Sequence, residues 1–105
     1  MVLVGRLVKD PEVKEKEKGK KVSYITIAIP RSFKNMDGEY ETDFINCILW
    51  DLVAKNTADY CKKGDIIGIK GRIETSKEEK ENEPVKYYTN VIAEKVTFLS
   101  SNKND

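Results

Sequence analysis

Glu41-Thr42-Asp43-Phe44-Ile45-Asn46-Cys47-Ile48-Leu49-Trp50 runs directly into Asp51-Leu52-Val53-Ala54-Lys55-Asn56-Thr57-Ala58-Asp59-Tyr60-Cys61-Lys62-Lys63-Gly64, and the change of period between the two decides the fold. Over 41–50 the polarity alternates. Phe44, Asn46, Ile48 and Trp50 share one face and Ile45, Cys47 and Leu49 the other, as successive strand side chains must. From 51 onward Val53, Thr57 and Tyr60 with Ala54, Ala58 and Cys61 form a stripe at helical spacing. Residues 51–63 are therefore expected as a helix, with Lys62 and Lys63 in its last turn and Gly64 as its C-cap.

Working upstream, residues 22–29 also alternate: Ile25, Ile27 and Ile29 face one way, Tyr24, Thr26 and Ala28 the other. Pro30 has no N–H to donate and should end that ladder. Asn35-Met36-Asp37-Gly38 supplies a hairpin turn into 41–50. Residues 2–8 are aliphatic and β-branched and form a first strand, stopped by Lys9-Asp10-Pro11. The charged segment 12–21 is an exposed hairpin or loop. Downstream, 65–74 reads as a fourth strand with Ile67, Ile69, Gly71 and Ile73 on one face, 75–84 as a polar mobile loop, and 85–99 as a long fifth strand. Three strands, a helix and two strands is the plan of the oligonucleotide/oligosaccharide-binding barrel (OB-fold), an all-β class with one helix. That barrel holds its ligands on strands two and three and on the loops joining strands one–two and four–five.

Composition narrows the function. One domain over 1–99, followed by the start of a flexible tail at 100–105, accounts for the 105 residues. No apolar run approaches the roughly 18 residues of a membrane span, so a protein of the cytoplasm, free of membrane, is expected. There is no histidine, and Cys47 and Cys61 stand alone among apolar neighbours. Zinc needs about four nitrogen or sulfur ligands, so no metal or other cofactor is expected and both cysteines read as reduced core thiols. Without histidine, a phosphate-cradling glycine loop or paired carboxylates, nothing suggests an enzyme. A net charge of +1, with 35% of residues charged, means that any nucleic acid must be held by a local positive face.

Several strings resemble the bacterial single-stranded DNA-binding protein family. They are Val2-Leu3-Val4-Gly5-Arg6-Leu7 with Lys9-Asp10-Pro11-Glu12, then Ala28-Ile29-Pro30-Arg31-Ser32-Phe33-Lys34, and Asp43-Phe44-Ile45-Asn46-Cys47-Ile48-Leu49-Trp50. Tyr60-Cys61-Lys62-Lys63-Gly64 and Gly71-Arg72-Ile73-Glu74-Thr75 follow in the family's order. The resemblance implies sequence-independent binding of single-stranded DNA in replication, recombination and repair, close to the nucleoid. It also implies a homotetramer, with a dimer as the fallback, and recruitment of replication and repair proteins where the full-length protein carries the family's acidic C-terminal tail. Three features depart from the family. Ser76-Lys77-Glu78-Glu79 stands where many members carry an aromatic, the sequence stops at Asp105 without the acidic tip, and Met1 leaves the first strand short.

Holding a single strand without reading its bases takes flat rings that stack and cations that track phosphates. Phe44 and Trp50 are six residues apart on one strand face, roughly 20 Å at about 3.3 Å per residue. The core is already supplied by the other face. Phe33 lies where the resemblance places a further stacking ring. For each ring the alternative is packing or subunit contact. Arg6, Arg31, Lys34, Arg72 and Lys77 are the candidate phosphate contacts, the alternative being a solvated surface charge. Of the adjacent Tyr87 and Tyr88, at most one can join the face. Two other functions fit the same fold: a primosomal protein that binds single strands and replication partners, and a protein-interaction barrel without nucleic-acid binding.

Overall fold

Alternating apolar residues build five long strands in the computed structural model, which describes residues 1–101. In chain order the elements are β1 (Val2–Leu7), a two-residue β2 (Lys14–Glu15), β3 (Lys21–Lys34), β4 (Tyr40–Trp50), α1 (Asp51–Tyr60), β5 (Ile66–Glu78) and β6 (Lys86–Ser100). β1 pairs antiparallel with β5, Val2 opposite Lys70 and Arg6 opposite Ile66, and also with β3, Arg6 opposite Ala28 and Leu7 opposite Ile27. β3 pairs with β4, and β5 with β6. A parallel contact, Cys47 beside Val91 and Ile48 beside Ile92, joins β4 to β6. The five long strands thus close on themselves as an OB-fold barrel, and β2 adds a small hairpin to the margin of β3.

Inward residues of the five long strands fill the barrel, among them Leu7, Ile27, Leu49, Ile67 and Ile69, each at most 1% exposed. Burying an aliphatic side chain of this size contributes about 1.5–3 kcal/mol. Ala54 and Cys61 join the same core from α1 and just beyond it. Both cysteines are free and buried, and burial pushes the Cys47 thiol up to about 11. Among the described residues no helix is long and apolar enough to cross a membrane.

Four local expectations change. The helix ends at Tyr60, not at residue 63, and the amides of Lys62, Lys63 and Gly64 go to a nearby carboxylate and to distant groups instead of to helix carbonyls. Lys62 N–H donates to Asp65 Oδ2 (2.8 Å), Lys63 N–H to Asp10 Oδ1 (2.8 Å) and Gly64 N–H to the Leu7 carbonyl (2.8 Å). Gly64, with φ +90°, therefore serves a turn and not a C-cap. Pro30 does not end its strand. It pairs with Thr42, and the register slips between Pro30 and Lys34, a bulge of the kind that tolerates proline. The segment 75–84 is not wholly a loop, since pairing continues to Glu78 opposite Lys86. β5 and β6 therefore project as a two-stranded arm, and Ile73, placed with the buried face, is 62% exposed where that arm leaves the barrel. The tail expected over 100–105 lies outside the described residues from 102 on, and Ser100 is the last residue of β6.

Candidate nucleic-acid interface

The outward side of β3 and β4 is built in rows by the ladder. Arg6, Ala28 and Phe44 stand in one row across β1, β3 and β4; Thr26 and Asn46 form the next, and Tyr24 and Ile48 the one after. Trp50 lies opposite Val22 at the end of β4, just before the helix. Within the middle row Thr26 Oγ1 donates to Asn46 Oδ1 at 2.7 Å. A shallow groove of about 340 Å³ runs over this face, lined by Lys9, Tyr24, Thr26, Asn46, Ile48 and Asn90. Phe44 is 64% exposed and Trp50 38%, so the first ring stands free while the second is partly packed. Phe33 is also exposed (68%), but it sits in the slipped stretch after Pro30, where ladder parity does not tie it to the Phe44 face.

The face continues onto β6. Ile48 stands beside Ile92, so Asn90 and Tyr88 point the same way, and Tyr87 points to the reverse. Arg72 lies opposite Ile92 and shares the front. Lys77, five residues further along β5, falls on the reverse opposite Tyr87 and pairs with Glu79 at 2.6 Å. Arg6 Nη1 donates to the Gly64 carbonyl at 2.8 Å, which ties its guanidinium to the turn before β5. Lys34 Nζ is 5.7 Å from the centroid of the Tyr40 ring. Arg31 is engaged by two carboxylates, with Nη1 2.7 Å from Glu41 and Nη2 3.0 Å from Asp43. Asp43 belongs to the Ile45 side of β4, so the Arg31 guanidinium lies on the reverse of the hairpin from Phe44. The structure thus gathers Phe44, Trp50, Arg6 and Arg72 on one face and sets Arg31 and Lys77 behind it.

The sequence profile of the single-strand binding protein family matches residues 1–99. The chain belongs to the single-strand binding protein family. Single-stranded DNA-binding protein B of Bacillus subtilis is 46% identical to it over 99 residues, covering 94% of this chain and 88% of that protein. Single-stranded DNA-binding protein 3 of Listeria innocua is 44% identical over 104 residues, covering 99% and 65%. Single-stranded DNA-binding protein of Bacillus cereus is 44% identical over 99 residues, covering 94% and 58%. The chain therefore spans less than two thirds of the latter two.

Among the candidate cations of this family member, Arg31 bears on the pH dependence of stability. Its hydrogen bond to Asp43, together with its charge, holds the Asp43 carboxyl below the ordinary carboxylate range. Stabilisation from a lowered carboxyl is fully present above the unfolded value, about 3.9, and is lost as pH falls through the folded one. A small difference in melting temperature between the parent and Asp43→Asn is therefore expected at neutral pH; it should begin to shrink as pH falls below about 4 and disappear only below the lowered folded value. A difference that does not shrink at all between about pH 5 and the lowest pH at which the fold still melts cooperatively would assign the effect to packing and not to the ion pair. Tyr24 and Lys9, both on the groove, were not among the sequence candidates. The alternation of β3 already put Tyr24 outward, but only the register shows that it stands beside Ile48.

Proposed function

We propose that this chain binds single-stranded DNA without base-sequence preference, shielding it during replication, recombination and repair in the cytoplasm, as a binder and not an enzyme. The observation that carries the reading is the exposed Phe44 ring in a row with Arg6, at one end of a face whose other end carries Trp50. Rings supply stacking that any base can use, and the cations Arg6, Lys34 and Arg72 supply contacts to phosphate. Phe33, Arg31 and Lys77 remain candidates reached by bending of the strand around the hairpin and the arm. Residues 1–99 form the binding domain in this reading. Trp50 is the only tryptophan, so titration with a homopolymer oligonucleotide tests it directly. Quenching that saturates supports binding. An unchanged signal across a wide titration favours the interaction barrel, a reading to which the ion-paired state of Arg31, Arg72 and Lys77 lends weight.

The split of cations between two faces makes a second expectation. Arg72→Ala should lower the slope of log affinity against log salt by about 0.7, one phosphate on a single strand, whereas Lys77→Ala should lower it by less, because the strand reaches Lys77 only by bending around the arm. The Arg72–Glu74 pair (3.1 Å) is exposed and worth little, so a phosphate can replace its carboxylate. Equal slopes for the two variants would remove the distinction between front and reverse.

Self-association into a homotetramer, or failing that a dimer, belongs to the same proposal. Val2 and Val4 are exposed on the outside of β1, and Leu99 is exposed against Gly68 on the neighbouring strands. Covering such a strip is a reason for subunits to meet. Light scattering at micromolar concentration should give a multiple of 12.0 kDa; a clean monomer would overturn it. Replication and repair proteins would be recruited by chain beyond the barrel.

A further inference from the structure

We infer that Tyr24 is a base-stacking residue and forms, with Lys9, a nucleotide subsite of its own on the β3 side of the face; the inference rests on the single-strand reading above. Tyr24 is 47% exposed in the middle of a paired strand and directly opposite Ile48. Its ring stands between two hollows. One is the groove of about 340 Å³ shared with Thr26, Asn46 and Asn90, and the other is a recess of about 60 Å³ shared with Glu12 and Lys14. Lys9 lines both. The space beside the ring is thus open, and an ammonium is at hand to meet a phosphate.

Register fixes how the subsite joins the rest. Trp50 is opposite Val22 and Ile48 opposite Tyr24, so Trp50 and Tyr24 are diagonal neighbours. Such pairs lie about 7–8 Å apart along the ladder, within the reach of long aromatic side chains. A strand that stacks on Trp50 therefore passes over Tyr24 within one or two nucleotides, before reaching Asn46 and Phe44. Lys16 Nζ lies 5.8 Å from the Tyr24 centroid, so the β2 hairpin adds a second cation beside the ring. The alternative is a surface tyrosine that merely shields Lys16.

The experiment has two independent arms. In the first, Trp50 fluorescence follows binding of an oligothymidylate to the parent, Tyr24→Ala, Tyr24→Phe and Tyr87→Ala, each checked by thermal melt. Tyr87 is the matched control, an exposed tyrosine on the reverse of the arm. Tyr24→Ala should lose at least about fivefold in affinity, the lower end for a lost base stack, with Tyr24→Phe recovering most of it and Tyr87→Ala at the parent value. Lys9→Ala should lower the salt slope by about 0.7. In the second arm, a 5-bromodeoxyuridine-substituted oligonucleotide is crosslinked by light to the unaltered protein and the adduct is mapped by mass spectrometry, which removes any dependence on how a variant folds. An adduct on Tyr24 supports the subsite. A normally melting Tyr24→Ala that binds within twofold of the parent, with no adduct on Tyr24, overturns it while leaving single-strand binding intact. A parent that shows no binding at all overturns the functional reading and the subsite together.

Discussion

Gly71→Ala is expected to lower the melting temperature by about 4–24 °C. A methyl group at this position would sit 2.4 Å from the Ile92 carbonyl oxygen and 3.3 Å from its carbonyl carbon. Both are main-chain atoms of β6, so no side chain can swing aside. Relief requires β5 and β6 to part at the place where their register already shifts, between Lys70 and Gly71. Overpacking of this kind costs about 1–3 kcal/mol, and each kcal/mol shifts the midpoint of a domain of this size by about 4–8 °C. Gly38→Ala provides the contrast. Nothing lies within 4 Å of a methyl group there, but φ is +78°, so only the left-handed backbone penalty of about 1 kcal/mol applies. Circular dichroism melts of the two variants decide the matter. A Gly71→Ala protein melting within 2 °C of the parent would mean that the strands yield freely at the root of the arm.

Phe44→Ala and Trp50→Ala should each weaken binding of a single-stranded oligonucleotide by about 1–3 kcal/mol, the cost of one lost base stack. That is about 5- to 150-fold per site, with no change in salt slope because no phosphate contact is removed. The two variants should differ in stability. Phe44 stands free of the core, so its removal should leave the melt unchanged. Trp50 is more than half covered and ends β4 where the helix begins, so its alanine variant should melt lower as well as bind more weakly. Binding at parental strength by a normally melting Phe44→Ala would return that ring to subunit contact and move the binding face elsewhere.

The parity of β4 was legible from the residues alone, because Ile45, Cys47 and Leu49 are apolar without exception and their neighbours are mixed. Cys47 and Leu49 are buried and Phe44 and Asn46 exposed, as that alternation requires. Legibility failed where long-range partners override local signals. Lys62, Lys63 and Gly64 look like a helix end, but Asp65, three residues on, captures the first amide and the distant Asp10 and Leu7 the other two, and no spacing marks those distant partners. Residues 75–78 look like loop because they are charged and polar, yet Tyr87, Tyr88 and Thr89 on β6 give them a strand to pair with. The placement of the cations was half legible. Arg72 and Lys77 are an odd number of residues apart, so they could not share a strand face; the position of Arg31 depended on a bulge after Pro30 that no sequence pattern announced.

The double pairing of β1 also governs how the chain leaves the ribosome. Its antiparallel partner on β5 spans residues 66–70, and the parallel contact that completes the ring waits for Val91 and Ile92. At about 5–20 residues per second, Val2-Leu3-Val4 emerges on the order of 3–13 s before the residues that cover its edge. Translation cannot assemble this barrel strand by strand, and the nascent chain carries an open, aliphatic border through most of its synthesis. The yield of soluble protein is therefore expected to depend on that interval, and slowing elongation before residue 66 should lengthen the exposure and lower the yield even when the finished barrel is stable.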